Sequence, residues 1–282
     1  MKLSFTKMHG CGNNYIYFNC FDQTVPDPES LSIKLSEPHF GIGGDGIILI
    51  SPSDKADAQM RIFNADGSEG KMCGNGIRCV GKYLYDNGMT DGRTTITIDT
   101  LSGVKTLELN VRDGKMQTAR VDMGAAILEP AKIPVNMAGS SVIDAPLVVD
   151  EKVYHVTCVS MGNPHCVIFF NEDDVDDLDL SRLGPKFEHH PLFPERINTE
   201  FVNVLPDGSL KMRVWERGSG ETWACGTGAC ATGVAACLNG FCKPDTDITV
   251  HLRGGDLTIR YTTETVFMTG AAATVFKGEI EL

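Results

Sequence analysis

A stretch of twenty-nine residues occurs twice in this chain, 152 positions apart, and each copy turns on a cysteine set before a glycine-rich turn. In the first copy Met60-Arg61-Ile62-Phe63 leads through Gly67-Ser68-Glu69 to Cys73-Gly74-Asn75-Gly76. In the second, Met212-Arg213-Val214-Trp215 leads through Gly218-Ser219-Gly220-Glu221 to Cys225-Gly226-Thr227-Gly228. Aligned without gaps, windows 60–88 and 212–240 share nine positions: Met, Arg, Glu, Cys, three glycines and a closing Asn-Gly. A second echo lies upstream, where Gly12-Asn13 before the apolar run Tyr15 to Phe18 resembles Gly162-Asn163 before Cys166 to Phe170, at an offset of 150. Two offsets this close imply a doubled domain. A period near half the chain argues for two globular halves, because solenoid repeats run to only about 20–50 residues.

The length of 282 residues gives each half enough chain for its own core. Strand-like segments with β-branched alternation dominate: Thr94 to Thr100, Val104 to Val111, Gln117 to Met123, Val153 to Ser160, Phe201 to Leu205, Ile248 to Leu252, Leu257 to Tyr261 and Ala273 to Phe276. Helices are few, the clearest being Gly76 to Asn87 and Gly228 to Asn239, each closed by an Asn-Gly pair suited to a left-handed cap. The run Ala229 to Leu238 carries no charge, and a helix that is apolar all round is buried. The expected fold is therefore mixed α/β (α+β), with two pseudo-symmetric lobes. Each lobe is read as a curved, mainly antiparallel sheet or barrel around one central helix, and the two lobes are expected to face each other. The expected boundaries are 1–123 for the first lobe and 124–270 for the second, with the last strand, 271–282, returning to the first.

A net charge of −12 repels polyphosphate, and no cluster of lysine and arginine offsets it, so nucleic acid is not an expected partner. Met1 to Gly12 lacks the apolar core of a signal peptide, and no run approaches the roughly 18 apolar residues of a membrane span. The expected location is the cytoplasm. There the ten cysteines are read as reduced thiols. Cys20, Cys158, Cys166 and Cys237 lie in apolar surroundings where the thiol acts as a small hydrophobe. No paired C-x-x-C spacing exists, since Cys73 and Cys79 are six apart and Cys225 and Cys230 five, so no metal is expected.

The chemistry is expected at the two helix starts. Glycine-rich turns leave backbone amides pointing outward, and those of Gly74, Asn75, Gly226 and Thr227 could hold a carboxylate. A thiol placed there is expected to ionise more readily than an ordinary cysteine. One such thiol would suit a nucleophile, which also needs a histidine base oriented by a third group. Two equivalent thiols suit stereoinversion instead, one removing an α-proton while the other delivers a proton to the opposite face.

At this point the chain resembles the diaminopimelate epimerase family along its whole length. The residues that carry the likeness are Lys7 to Gly10 with Gly12-Asn13, Arg61 to Ser68, Met72 to Arg78, Gly162 to His165, Asn198 to Phe201, and Trp215 to Gly218 through Cys225 to Ala229. The resemblance implies an isomerase that epimerises LL-diaminopimelate to meso-diaminopimelate on the way to lysine and peptidoglycan precursors, without pyridoxal phosphate, other cofactor or metal, and commonly as a homodimer. It implies an active site in the cleft between the lobes, with Cys73 and Cys225 as the acid/base pair. It implies Asn13, Asn64, Gly74, Asn75, Asn163, Asn198, Glu216, Arg217, Gly226 and Thr227 as substrate contacts, and His165 and Glu216 as groups that tune the thiols. A substrate with two carboxylates and two ammonium groups fits these types: Arg217 can pair with a carboxylate, and Glu216 or an asparagine carbonyl with an ammonium. The chain departs from the family in Gly46, where a glutamine is usual, and in Asn14, where an aspartate is usual. Proline racemases share the paired-cysteine mechanism but would need a smaller, more apolar pocket, and an amino-acid sensor would keep the site without turnover.

Overall fold

The computed structural model describes residues 1–171 and 173–281. The chain divides into two compact units, Met1–Asp122 with Thr269–Leu282, and Met123–Met268. In the first, β1 (Lys2–Gly10) and β2 (Asn13–Asn19) form a hairpin, α1 (Pro28–Ser36) follows, and β3 (Gly46–Ser51) runs parallel to β2. The strand β4 (Ala58–Asn64) lies antiparallel to β3 and turns into the short β5 (Glu69–Gly70) ahead of α2 (Gly74–Asp86). Then β6 (Thr95–Thr100) joins β4 in parallel and continues through β7 (Gly103–Arg112) to β8 (Lys115–Asp122) as antiparallel neighbours.

The second unit repeats that pairing sequence. After β9 (Ala145–Val149), β10 (Lys152–Ser160) and β11 (Pro164–Phe170) are antiparallel, α3 (Leu180–Glu188) intervenes, and β12 (Asn198–Val204) is parallel to β11. The strands β13 (Leu210–Glu216) and β14 (Gly220–Thr222) form the hairpin before α4 (Gly226–Leu238). The strand β15 (Ile248–Leu252) is parallel to β13 and antiparallel to β16 (Gly255–Tyr261). Beyond β17 (Val266–Ala271), β18 (Ala273–Glu281) pairs antiparallel with β1, closing the first unit.

Identities shared by the two copies mark contacts that both units need. Arg61 on β4 makes a two-pronged ion pair with Glu69 on β5 at 2.7 and 3.1 Å, and Arg213 does the same with Glu221 at 2.8 and 3.0 Å. These forks fasten the hairpin that delivers each cysteine. Gly81 on α2 lets Leu107 approach, where a Cβ would sit 2.9 Å from it, and the equivalent Gly233 on α4 does so for Ile259 at 2.7 Å. Both helices thereby lie close against a strand of their own unit. The uncharged α4 is buried along nearly its whole length, as its composition requires, and a fully buried side chain such as Val234 contributes about 1.5–3 kcal/mol.

Candidate active site

Each repeated cysteine is the N-cap of the helix that follows it. Cys73 and Cys225 have extended backbones, and their sulfurs accept the amide protons of Gly76 at 3.3 Å and Gly228 at 3.4 Å. A thiol thus fills the place usually taken by a serine, threonine or aspartate oxygen. Both helices start two residues earlier than the sequence reading put them, because a cysteine cap is not among the usual start signals. Gly74 and Asn75, and Gly226 and Thr227, occupy the first two helical positions, where an amide finds no acceptor within its own helix.

Cys73 faces the side-chain amide of Asn13. Its thiol donates to Asn13 Oδ1 at 3.3 Å, and Asn13 is held by Asp45 at 2.9 Å. Asp45 also takes the backbone amide of Asn14, so it fixes the turn after β1. The Asn75 side chain is turned inward, where Arg78 Nη2 donates to its Oδ1 at 2.8 Å while Nη1 takes Gly74 O at 3.1 Å. Asn64 ends β4 and donates to Ser68 Oγ at 3.0 Å. Gly46 is buried with a φ of +149°, and a Cβ there would lie 2.0 Å from Phe63 O. No side chain fits that position without displacing the β4 backbone.

The Cys225 surroundings carry charge. The Glu216 carboxylate accepts from the Thr222 hydroxyl. His165 and Glu200 are both fully buried, and His165 Nδ1 donates to Glu200 Oε1 at 2.7 Å, since a carboxylate can only accept. The other ring nitrogen faces Asn163 Oδ1 at 3.1 Å. The donor atoms of His165, Glu200 and Cys225 lie within 4.8 Å of one another, the one such group among the described residues. With Nδ1 donating to the carboxylate, the cluster is a hydrogen-bonded dyad beside a thiol. Asn198 ties the site together, donating to Pro164 O at 2.7 Å and accepting the Arg217 amide at 2.9 Å. The exposed Arg217 guanidinium rests on Glu195 O at 2.9 Å.

The expectation of an easily ionised thiol fails at Cys225. Burial pushes that thiol well above the ordinary cysteine range, and the negative charges of Glu216 and Glu200 push it further. The Thr227 hydroxyl and the Gly228 amide oppose this but do not outweigh it. Burial likewise raises Glu216 above the usual carboxylate range, against the Thr222 hydrogen bond and the His165 charge. Burial, which raises a thiol, here outweighs the helix start, which lowers it.

Two cysteines cap equivalent helices of a duplicated α/β scaffold, the placement of paired thiols that a two-base isomerase would need. Comparison with known proteins narrows the class. The family model of diaminopimelate epimerase matches residues 5–129 and 157–275. The chain is 56% identical to the diaminopimelate epimerase of Agathobacter rectalis over 99% of its length and 100% of that protein's. It is 55% identical to that of Acetivibrio thermocellus over 99% of each. The chain belongs to the diaminopimelate epimerase family, a family of isomerases. The same fold is seen in the crystal structure of a hydroxyproline epimerase from Agrobacterium vitis with bound trans-4-hydroxy-L-proline. That structure has a TM-score of 0.70 at 16% identity, covering 99% of this chain and 91% of that one. A phenazine biosynthesis protein of the PhzF family from Bacillus anthracis has a TM-score of 0.70 at 15% identity, covering all of both chains.

Proposed function

We propose that this chain epimerises LL-diaminopimelate to meso-diaminopimelate by a two-thiol mechanism, using Cys73 and Cys225. The observation that carries the reading is the duplicated cysteine N-cap, conserved in geometry in both units of a chain that belongs to this family. A thiolate takes the α-proton and the thiol on the opposite face returns one, so two groups of like chemistry but unlike protonation are needed. The first-turn amides at Gly74, Asn75, Gly226 and Thr227 hold the α-carboxylate as charge builds on it. Asn13, Asn64, Asn163 and Asn198 supply neutral hydrogen bonds to the amino and carboxylate groups. Arg217 recognises the distal carboxylate, and Glu216 serves both the thiol and an ammonium, with His165 as the second tuning group. The reaction uses no cofactor, and the protein works as a homodimer in the cytoplasm. Among the described residues no helix is long and apolar enough to cross a membrane.

The test is incubation of the purified protein with LL- and meso-diaminopimelate, with D- and L-proline as controls, followed by chiral analysis. Interconversion of the two diaminopimelates with proline untouched supports the reading. Inversion of proline alone overturns it.

A further inference from the structure

The two thiols are built alike at the backbone and unlike in what lies beneath them. Offset by 152 positions, the residue of the second unit that corresponds to Ile48 is Glu200. The strand pairings agree with that equivalence. Ile48 on β3 lies opposite Tyr17 of the parallel β2, and Glu200 on β12 opposite Val167 of the parallel β11. The glycine at the third helical position reports the same contact in each unit. A Cβ on Gly76 would meet Ile48 Cδ1 at 2.7 Å, and a Cβ on Gly228 would meet Glu200 Oε1 at 2.5 Å. The same Cβ atoms would also meet the sulfur of their own cysteine, at 3.5 and 3.3 Å. So directly under the first turn of each helix the protein places a methyl group in one unit and a carboxylate in the other. The same substitution of charge for neutrality occurs at the end of the next strand, where Asn64 corresponds to Glu216.

A buried carboxylate is costly and has to be accounted for. Glu200 is fully buried, its Oε1 is taken by His165, and its Oε2 has no hydrogen-bond partner among the described residues. Nothing in the packing of β12 requires a charge there, since the corresponding position in the first unit carries isoleucine. We propose that Glu200 is a positioning residue that makes the two thiols unequal: its carboxylate holds the resting proton on Cys225, and leaves Cys73, which has Ile48 in that place, to start as the base. An epimerase of this kind needs one thiol and one thiolate at the outset, and a symmetric pair would not specify which is which. The groups facing Cys225 are Glu200 from β12, His165 from β11, Glu216 from β13 and the Thr227 hydroxyl from α4. The two carboxylates both disfavour the thiolate, in agreement with the direction in which this thiol is shifted.

The assignment of Cys225 as the proton donor rests on the epimerase reading, but the effect of Glu200 on the thiol does not, and the test separates them. The rate of alkylation of Cys225 by iodoacetamide, followed by peptide mass spectrometry across pH, is measured in the substrate-free wild type, Glu200→Gln and Glu200→Ile. Thiolate is the reacting form, so removing the carboxylate is expected to move the midpoint to lower pH and raise the rate at pH 7.5 by about threefold or more. The Cys73 rate stays within about twofold. An unchanged or slower Cys225 rate in folded variants overturns the proposal, whether or not the protein epimerises diaminopimelate. Should neither variant fold, the wild-type protein decides: carbon-13 at Cys225 Cβ should keep the thiol shift beyond the ordinary thiol pKa of about 8.5. A thiolate shift at pH 7.5 would contradict the proposal.

Discussion

At the scale of single residues, three changes probe the site. Cys73→Ala and Cys225→Ala should each abolish epimerisation while the protein stays folded, because in the proposed mechanism each thiol does a step the other cannot do. Near-normal turnover in either, with folding checked by circular dichroism, would remove that thiol from the mechanism. Arg217 is exposed and rests on a single carbonyl, so it can swing to a ligand at small cost. Arg217→Met should weaken diaminopimelate binding by about 2–5 kcal/mol if the arginine–carboxylate pair is buried in the complex. Steady-state kinetics showing an unchanged KM and kcat would exclude that role. The residues legible in the sequence were those inside the repeat. Glu200 stood in the motif Asn198 to Phe201 but drew no notice, since its importance shows only when it is set against Ile48. His165 and Glu216 were named through the family resemblance, and what they do to Cys225 depended on burial, which no motif displays.

Among the elements, β6, β7, β8, β10, β12, β15, β16, β18 and the two central helices follow from alternation and Asn-Gly stops; β9, β11, β13, β14 and β17 are not read from the sequence as strands, and α1 and α3 were not anticipated. Both have ordinary signals, an aspartate cap at Asp27 with Pro28 following, and one at Asp179. In α3 the interior Pro185 and Gly184 mask the pattern, and Gly184 is there because Trp215 lies against it, 2.2 Å from where a Cβ would be. The strands β2 and β3 are continuous apolar runs, whose buried faces leave no alternation to read. Gly46 belongs to this scale as well. Restoring the family's usual residue with Gly46→Gln should destabilise the protein by about 1–3 kcal/mol or more, because the β4 backbone occupies the space. Urea denaturation measures it, and a neutral or stabilising result would mean that β3 and β4 can separate freely.

For the whole molecule, buried thiols make stability depend on alkaline pH. Burial pushes Cys79 up to about 12, and it raises Cys166 and Cys225 as well. A thiol whose pKa is higher folded than unfolded contributes stability that is complete below the unfolded value, about 8.5. That contribution is lost as pH rises through the folded value. Thermal unfolding under reductant should therefore show a Tm that falls steadily above about pH 8.5. In Cys79→Ala the Tm should start lower but decline less steeply between about pH 8.5 and pH 12. Equal slopes would show that Cys79 is not kept protonated by the fold. The duplication also acts at this scale, because the same order of parallel and antiparallel pairings in both units brings each cysteine to the same helix position.

The central claim, that two thiols act on one carbon, is tested most directly by the first turnovers of LL-diaminopimelate in deuterium oxide. A two-thiol mechanism puts solvent deuterium at the inverted carbon of every meso-diaminopimelate molecule, while unreacted LL-diaminopimelate keeps its original hydrogen. Mass spectrometry of the separated isomers at low conversion reads both. Product that retains the substrate's own α-hydrogen would mean that a single group removes and returns the proton, and would contradict the account.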